Sequence, residues 1–209
     1  MKGILSLLKS KVQKPGEDAN DSVLFTTAFA SLGVDESLLV PWEARAVEVG
    51  AKRLPRNRGG KLLQSLWAKD KYMAHLDQGA VERMERFFQF ASIPPNRDVI
   101  RQDEYGNFMV VLLTGTIAVD RIQPWGEQLR LAETRPGDIL GEMSLLDSGI
   151  RFSACTTLTD CEIAVLSAEA MDDMMTKDPQ LAASLIALLA RKLSLRLRVV
   201  SARLSDNQK

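Results

Sequence analysis

The spacing of the apolar positions changes twice along this chain. Before residue 93 the apolar residues mostly return every three or four positions, a spacing typical of amphipathic helices. Between Ile93 and Ser167 they fall into short β-rich runs separated by turn residues, which predicts strands. After Ser167 the helical spacing returns, and the stretch from Gln180 to Leu204 contains neither Gly nor Pro. The pattern predicts helices, then a β-region, then one long helix.

The central region reads as a series of closely spaced strands with turn residues such as Gly115, Gly126 and Gly149 between them. Such a series is typical of a sandwich or jelly roll. We therefore expect an α+β fold: a β-roll (double-stranded β-helix, or jelly roll) flanked by helices, with a long C-terminal helix and an N-terminal helical extension. The predicted strands are DVIRQ, FMVVLLTG, TIAVDRI, QLRLAE, SACTTL and EIAVLS.

The N-terminal part supports a division of the chain into two regions. Residues 1–14 have one apolar face opposite lysines, and residues 15–22 form a polar linker. Contact of residues 1–14 with a membrane surface or a partner is one interpretation; a frayed helix that packs on its own domain or on nothing is the favoured one. We assign residues 1–75 to an N-terminal helical extension and residues 76–209 to the β-roll domain with its C-terminal helix.

A basic segment is followed by two further helical stretches. The segment KRLPRNRGGK, residues 52–61, is predicted to be a solvated loop, because no aromatic residues interleave with its charges for base stacking. Nucleic-acid contact is the alternative. The following stretches 62–76 and 78–91 have helical spacing, and Pro94 and Pro95 end it.

Composition excludes several classes of partner. Lys plus Arg and Asp plus Glu both number 27, so no bulk field draws the chain to nucleic acid or anionic lipid. Cys155 and Cys161 are too few for a disulfide framework, and no apolar run is long enough to span a membrane. We expect a cytoplasmic protein.

The candidate site lies in GDILGEMSLLDSGIRFSA, residues 137–154. Glu142 and Arg151 flank a short apolar run that follows a turn at Gly137. Arginine is a permanently charged, planar donor, so a small anion fits this pattern. A salt bridge between Glu142 and Arg151 across the turn is the alternative interpretation.

Further motifs in the same order make the chain resemble the cyclic-nucleotide-binding domain family, found in the catabolite activator protein and in regulatory subunits of cyclic-AMP-dependent kinases. The resemblance covers about residues 76–204. It rests on the stretch Gly141-Glu142-Met143-Ser144-Leu145-Leu146 followed by Arg151, on GNFMVVLLTG, on PGDILGE, and on Pro179 followed by ARKL.

The resemblance implies a phosphate-binding cassette. By this likeness Arg151 binds phosphate oxygens of cyclic AMP or cyclic GMP, and Glu142 accepts a hydrogen bond from the ribose 2′-OH. Backbone N–H groups of a short helix that starts near Glu142 would complete the cradle, with Gly141, Met143 and Ser144 as further ligand-binding residues.

Several positions depart from the family, among them Asn107 and Val110, where Asp and Tyr are usual. Phe152 follows Arg151 where a small or hydroxyl residue is usual, and Ser153 comes one place later. If this stretch is a strand, Phe152 points away from Arg151 and enters the core. At the base-reading position of the last helix the chain has Arg196 and Leu197; Arg196 is suited to guanine O6 and N7 or to stacking on a purine.

The sequence favours regulation over catalysis. Metal-dependent jelly-roll enzymes need clustered ligands, and the single histidine, His75, precedes the roll, so we expect no enzyme, no metal and no cofactor. Only five residues follow Leu204, so we expect no direct DNA binding. The favoured function is a cyclic-nucleotide sensor that signals through the last helix and the N-terminal extension to an unknown protein partner. A degenerate, ligand-free dimerisation or docking module is the alternative.

The last helix also predicts a homodimer. Its apolar residues recur at spacings of four, four, three and four positions, which is more than one roll can cover. The stripe consists of Leu189, Leu193, Leu197, Val200 and Leu204.

Overall fold

The computed structural model describes residues 25–70, Met73 and residues 78–206. The expected helix over 1–14, the linker over 15–22 and His75 lie outside the described residues. The helices are α1 Phe25–Ser31, α2 Trp42–Glu48, α3 Arg56–Trp67, α4 Gln78–Met84, α5 Glu142–Asp147, α6 Ala168–Lys177 and α7 Pro179–Asp206. The strands are β1 Lys52–Arg53, β2 Gln89–Ile93, β3 Asp98–Ile100, β4 Phe108–Thr114, β5 Ile117–Ile122, β6 Gln128–Glu133, β7 Ile139–Leu140, β8 Ala154–Thr157 and β9 Cys161–Ser167.

The strands form two facing antiparallel sheets. One has the order β1-β2-β9-β4-β7 and the other the order β3-β8-β5-β6. Each of the six predicted strand runs overlaps an observed strand, and α7 starts at Pro179 as expected. The α+β β-roll with a long C-terminal helix is confirmed.

Both faces of the five-stranded sheet are buried, which explains the continuous apolar run of β4. One face, with Val110 and Leu112, packs against the second sheet. The other, with Met109 and Val111, packs under the helices, including Leu63 of α3. A strand covered on both sides gains nothing from alternating with polar residues.

The basic segment is not a loop. It contains β1 and the start of α3, although its charged side chains are exposed as expected. The sequence predicted a loop here because Gly59 and Gly60 are unfavourable in helices. Here they permit close approach: a Cβ at Gly59 would overlap the Phe90 ring, and one at Gly60 would overlap a Glu85 carboxylate oxygen.

The expected helix over 78–91 ends early. Residues 89–93 form β2, which pairs with β9 from Gln89↔Val165 to Ile93↔Cys161. Long-range pairing overrides the local helical spacing at this position. The two-residue strand β7 also carried too little signal to be predicted.

No helix in the described ranges is both long enough and apolar enough to cross a lipid bilayer. Within the same ranges no group of three His, Cys, Asp or Glu side chains is arranged to hold a metal ion.

Candidate functional site

The structure brings Arg151 against the beginning of α5, where Glu142 lies. Gly141 precedes α5 with φ 73°, a left-handed conformation that favours glycine. A Cβ at Gly141 would lie 2.6 Å from Arg151 Nη1, and one at Gly106 would lie 2.7 Å from Arg151 Nε. The two glycines therefore make room for one guanidinium group.

Arg151 is buried, with 3% of its surface exposed. Its Nη1 donates to the Gly141 carbonyl at 2.7 Å, and its Nη2 donates to the Phe108 carbonyl at 2.6 Å. The guanidinium carbon lies 4.7 Å from the centre of the Phe108 ring. Among the described residues, no carboxylate lies within ion-pair distance of Arg151. The group thus has neutral acceptors around a full positive charge.

Glu142 pairs with the last helix and not with Arg151, so the interpretation as a salt bridge across the turn is wrong. Its Oε1 accepts from Arg196 Nη1, and Arg196 Nη2 donates to the Ile139 carbonyl at 2.8 Å. Glu142 is 4% exposed, whereas the Arg196 side chain is half-exposed. Arg196, predicted to be near a bound base, lies against Glu142, the candidate ribose-binding carboxylate.

Burial sets the protonation behaviour of these groups. Burial raises the pKa of Glu142, while the charges of Arg196 and then Arg151 oppose the rise. Burial lowers the pKa of Arg151 to about 10, which leaves it cationic at neutral pH. Burial raises the pKa of the neighbouring Cys155 thiol to about 12, with the charge of Arg151 acting in the opposite direction.

Replacing Arg196 with methionine is expected to destabilise the fold more at high pH than at low pH. Without Arg196 the pKa of Glu142 rises further, and an acid whose pKa is raised by folding opposes folding increasingly as the pH climbs through that range. Because Arg196 is half-exposed, we expect a loss of about 1 kcal/mol at about pH 8 and much less at about pH 4.5, measured by urea unfolding.

The exposed Arg198→Met on the same helix is the matched control and is expected to show no such pH dependence. Adding Glu142→Gln to Arg196→Met should flatten the dependence. An equal loss at both pH values would contradict the role assigned to Glu142.

The remaining predicted site residues divide by exposure. Ser144 is buried, Met143 is half-exposed and Ser153 is partly buried. The expectation that Phe152 enters the core is wrong: it is 51% exposed and its ring lies 4.1 Å below the Arg121 guanidinium carbon. The reason is local, because β8 begins only at Ala154, so strand alternation does not govern residue 152.

A cleft beside Arg151 contains residues that the sequence reasoning missed. It is lined by Val40, Arg45, Ile100, Arg101, Glu104, Tyr105, Gly106, Phe108 and Arg151. Arg45 comes from α2, far from the motif in sequence. Of the lining residues, Gly106, Phe108 and Arg151 belong to motifs named in the sequence analysis.

Comparison with known proteins shows which domains this part of the chain is similar to. Residues 90–178 match the family model of the cyclic nucleotide-binding domain. The chain is 32% identical over 107 residues to the cyclic AMP receptor protein of Thermus thermophilus, which covers 51% of this chain and 50% of that protein. It is 25% identical over 118 residues to a CRP-like cAMP-activated global transcriptional regulator of Mycobacterium tuberculosis, covering 56% and 53%. The chain thus spans about half the length of these curated relatives.

Solved structures agree on the fold. A cyclic nucleotide-binding domain from Methylobacillus flagellatus superposes with a TM-score of 0.68 at 22% identity, covering 73% of this chain and 86% of that one. The catabolite activator protein of Thermus thermophilus superposes with a TM-score of 0.54 at 29% identity, covering 62% of each chain. Residues 90–178 of this chain therefore match the cyclic nucleotide-binding domain family in sequence, and the fold agrees with that match.

Proposed function

We propose that this chain is a non-enzymatic sensor that binds a cyclic mononucleotide, cyclic AMP or cyclic GMP, and signals through α7 and the N-terminal extension to a protein partner. In this proposal residues 1–75 are the extension and 76–209 the binding domain. Arg151 carries the proposal: a buried cation with neutral hydrogen-bond partners in a domain whose family binds cyclic nucleotides.

The local charge balance supports a monoanionic ligand. Arg45 and Arg101 pair with Glu48 and Glu104, so those four charges compensate one another. Glu142 is compensated by Arg196. The positive charge of Arg151 is left over, and a cyclic phosphodiester carries one negative charge. Two hydrogen bonds to carbonyls also leave some of the five N–H donors of an arginine available to phosphate oxygens.

Arg151 is suited to the phosphate, and Glu142 to the ribose. In the proposed complex the nucleotide 2′-OH takes the place of Arg196 on the Glu142 carboxylate, with Gly141, Met143, Ser144, Phe152 and Ser153 around the ligand. Release of Arg196 would free α7 from α5, which is a direct route from ligand to helix. In this proposal the contact of the released Arg196 with the base determines whether cyclic AMP or cyclic GMP binds more tightly.

A second function has its own supporting observation. Glu142 and Arg151 are both almost fully buried and bonded to protein groups, as expected of a degenerate roll that acts as a ligand-free dimerisation or docking module. Titration of the purified chain with cyclic AMP and with cyclic GMP in a calorimeter distinguishes the two. Saturable binding of either nucleotide supports the sensor, and no heat from either supports the docking module.

A 2′-deoxy cyclic nucleotide is expected to bind the native chain more weakly than its ribose counterpart by about 1.5 to 3 kcal/mol. The reason is that the deoxy ligand offers no hydroxyl to the charged acceptor Glu142. Glu142→Ala should erase most of this difference, and the four affinities form a double-mutant cycle that isolates the contact. Equal binding of both ligands by the native chain would assign Glu142 another role.

A further inference from the structure

Helix α2 lies outside the residues that match the family, yet it contacts the groups that hold Arg151. Its Arg45 is buried, with 1% of its surface exposed. The Arg45 guanidinium spans two carboxylates, donating through Nη1 to Glu48 and through Nη2 to Glu104. Burying a guanidinium group costs desolvation free energy, which well-placed carboxylate partners such as these offset. Arg45 Nε has no hydrogen-bond partner among the described residues.

Glu104 connects Arg45 to the backbone of Arg151. The Arg151 N–H donates to the Glu104 carbonyl at 2.8 Å, and the Asp103 N–H donates to the Arg151 carbonyl at 2.9 Å. The segment before Gly106 thus hydrogen-bonds to both the N–H and the carbonyl group of Arg151. A movement of the Glu104 backbone would therefore act on the backbone of Arg151 through this hydrogen bond.

A second contact of α2 reaches the side chain of Arg151. The Trp42 ring meets the Phe108 ring edge-on, with centres 5.6 Å apart. Phe108 in turn accepts from Arg151 Nη2 and lies under the guanidinium. One helix therefore supports Arg151 through its backbone and through its side-chain acceptor.

We infer that Arg45 is a positioning residue for Arg151, so that α2 is part of the cyclic-nucleotide site. This inference rests on the proposed function for its ligand-binding consequence. Because coupling between two sites is reciprocal, a nucleotide on Arg151 also tightens α2 against the roll. Segment 36–51 is then an element through which the N-terminal extension senses the ligand.

The test is a double-mutant cycle on the full chain. Arg45→Met keeps most of the length of the side chain but removes the guanidinium group that spans Glu48 and Glu104. It is expected to weaken cyclic-nucleotide affinity by roughly 10-fold in the native background. In an Arg151→Lys background there is no planar guanidinium group to position, so the same change should lower the affinity by less than about twofold. Arg45→Lys should fail to rescue, because an ammonium does not span Glu48 and Glu104.

Arg101→Met is the matched control, since Arg101 shares both carboxylates with Arg45 but is half-exposed. It should leave affinity within about twofold of the native value. Unchanged affinity in Arg45→Met, an equal loss in both backgrounds, or an equal loss from Arg101→Met would each overturn the inference.

A readout without ligand separates this inference from the proposed function. The Nε–H resonance of Arg151, assigned by its disappearance in Arg151→Lys, should exchange with solvent faster in Arg45→Met than in the native chain. Unchanged exchange would overturn the positioning role. Absence of nucleotide binding by the native chain would overturn the proposed function, and the exchange measurement would still decide on Arg45.

Discussion

Arg151→Ala is expected to lower the affinity for a cyclic nucleotide by about 30-fold to several thousand-fold. Truncating one partner of a buried, hydrogen-bonded charge pair costs about 2 to 5 kcal/mol, because the phosphate is then left desolvated without its cation. The site offers no ready substitute: Arg45 is committed to two carboxylates, and Arg196 to Glu142. Arg151→Lys should recover only part of the loss, since an ammonium is a point charge and not a fork.

Calorimetry on the native and variant chains measures this loss, and circular dichroism checks that the roll is folded. The check matters because the alanine variant leaves the Gly141 and Phe108 carbonyls without their donor, at a cost of about 1 to 3 kcal/mol in stability. Arg58→Ala is the control: it removes an exposed arginine paired with Glu162, and affinity should stay unchanged. Native affinity in a folded Arg151→Ala chain would contradict the phosphate-binding role.

Leu197→Asp combined with Val200→Asp is expected to convert a homodimer into monomers. The structure divides the apolar stripe of α7: Leu189 is buried in its own domain, whereas Leu197 is 66% and Val200 51% exposed. The four positions 193, 197, 200 and 204 follow the four-three-four spacing of a coiled-coil seam. Two ionised carboxylates in such a seam are costly to bury, so the paired helices should separate.

Analytical ultracentrifugation measures the change. A pair of aspartates at Leu32 and Val47, which are exposed apolar residues of the N-terminal region, is the matched control and should leave the dimer intact. A native chain that sediments as a monomer at high concentration, with and without nucleotide, would show that the exposed face of α7 does not pair with itself.

The strands and the last helix were predictable because their signals are local. Gly115 and Gly126 lie in turns between strands with φ of 90° and 91°, and Pro179 stands at the first position of a helix, where proline is favoured. Glu142 and Arg151 could be predicted from a motif because they lie close together in sequence. The rest of helix α5 and the short loop after it are all that separates them.

The contacts that close the site were not predictable from local patterns. Arg196 reaches Glu142 from a helix whose tilt depends on the packing of α6 and α7, and nothing in the sequence near Arg196 specifies that partner. Arg45 reaches Glu104 across 59 positions of chain. The exposure of Phe152 depends on β8 beginning at Ala154, and strand ends are set by pairing partners that lie elsewhere.

The burial of Cys155 inside the roll has a consequence for redox chemistry. The thiolate is the form of cysteine that reacts with oxidants and electrophiles, and a thiol whose pKa is raised to about 12 is almost entirely protonated at neutral pH. Cys161 is buried as well, and burial also raises its pKa. Both thiols are therefore shielded while the roll is closed, so oxidants and electrophiles should reach these two sulfur atoms only in molecules whose roll has opened.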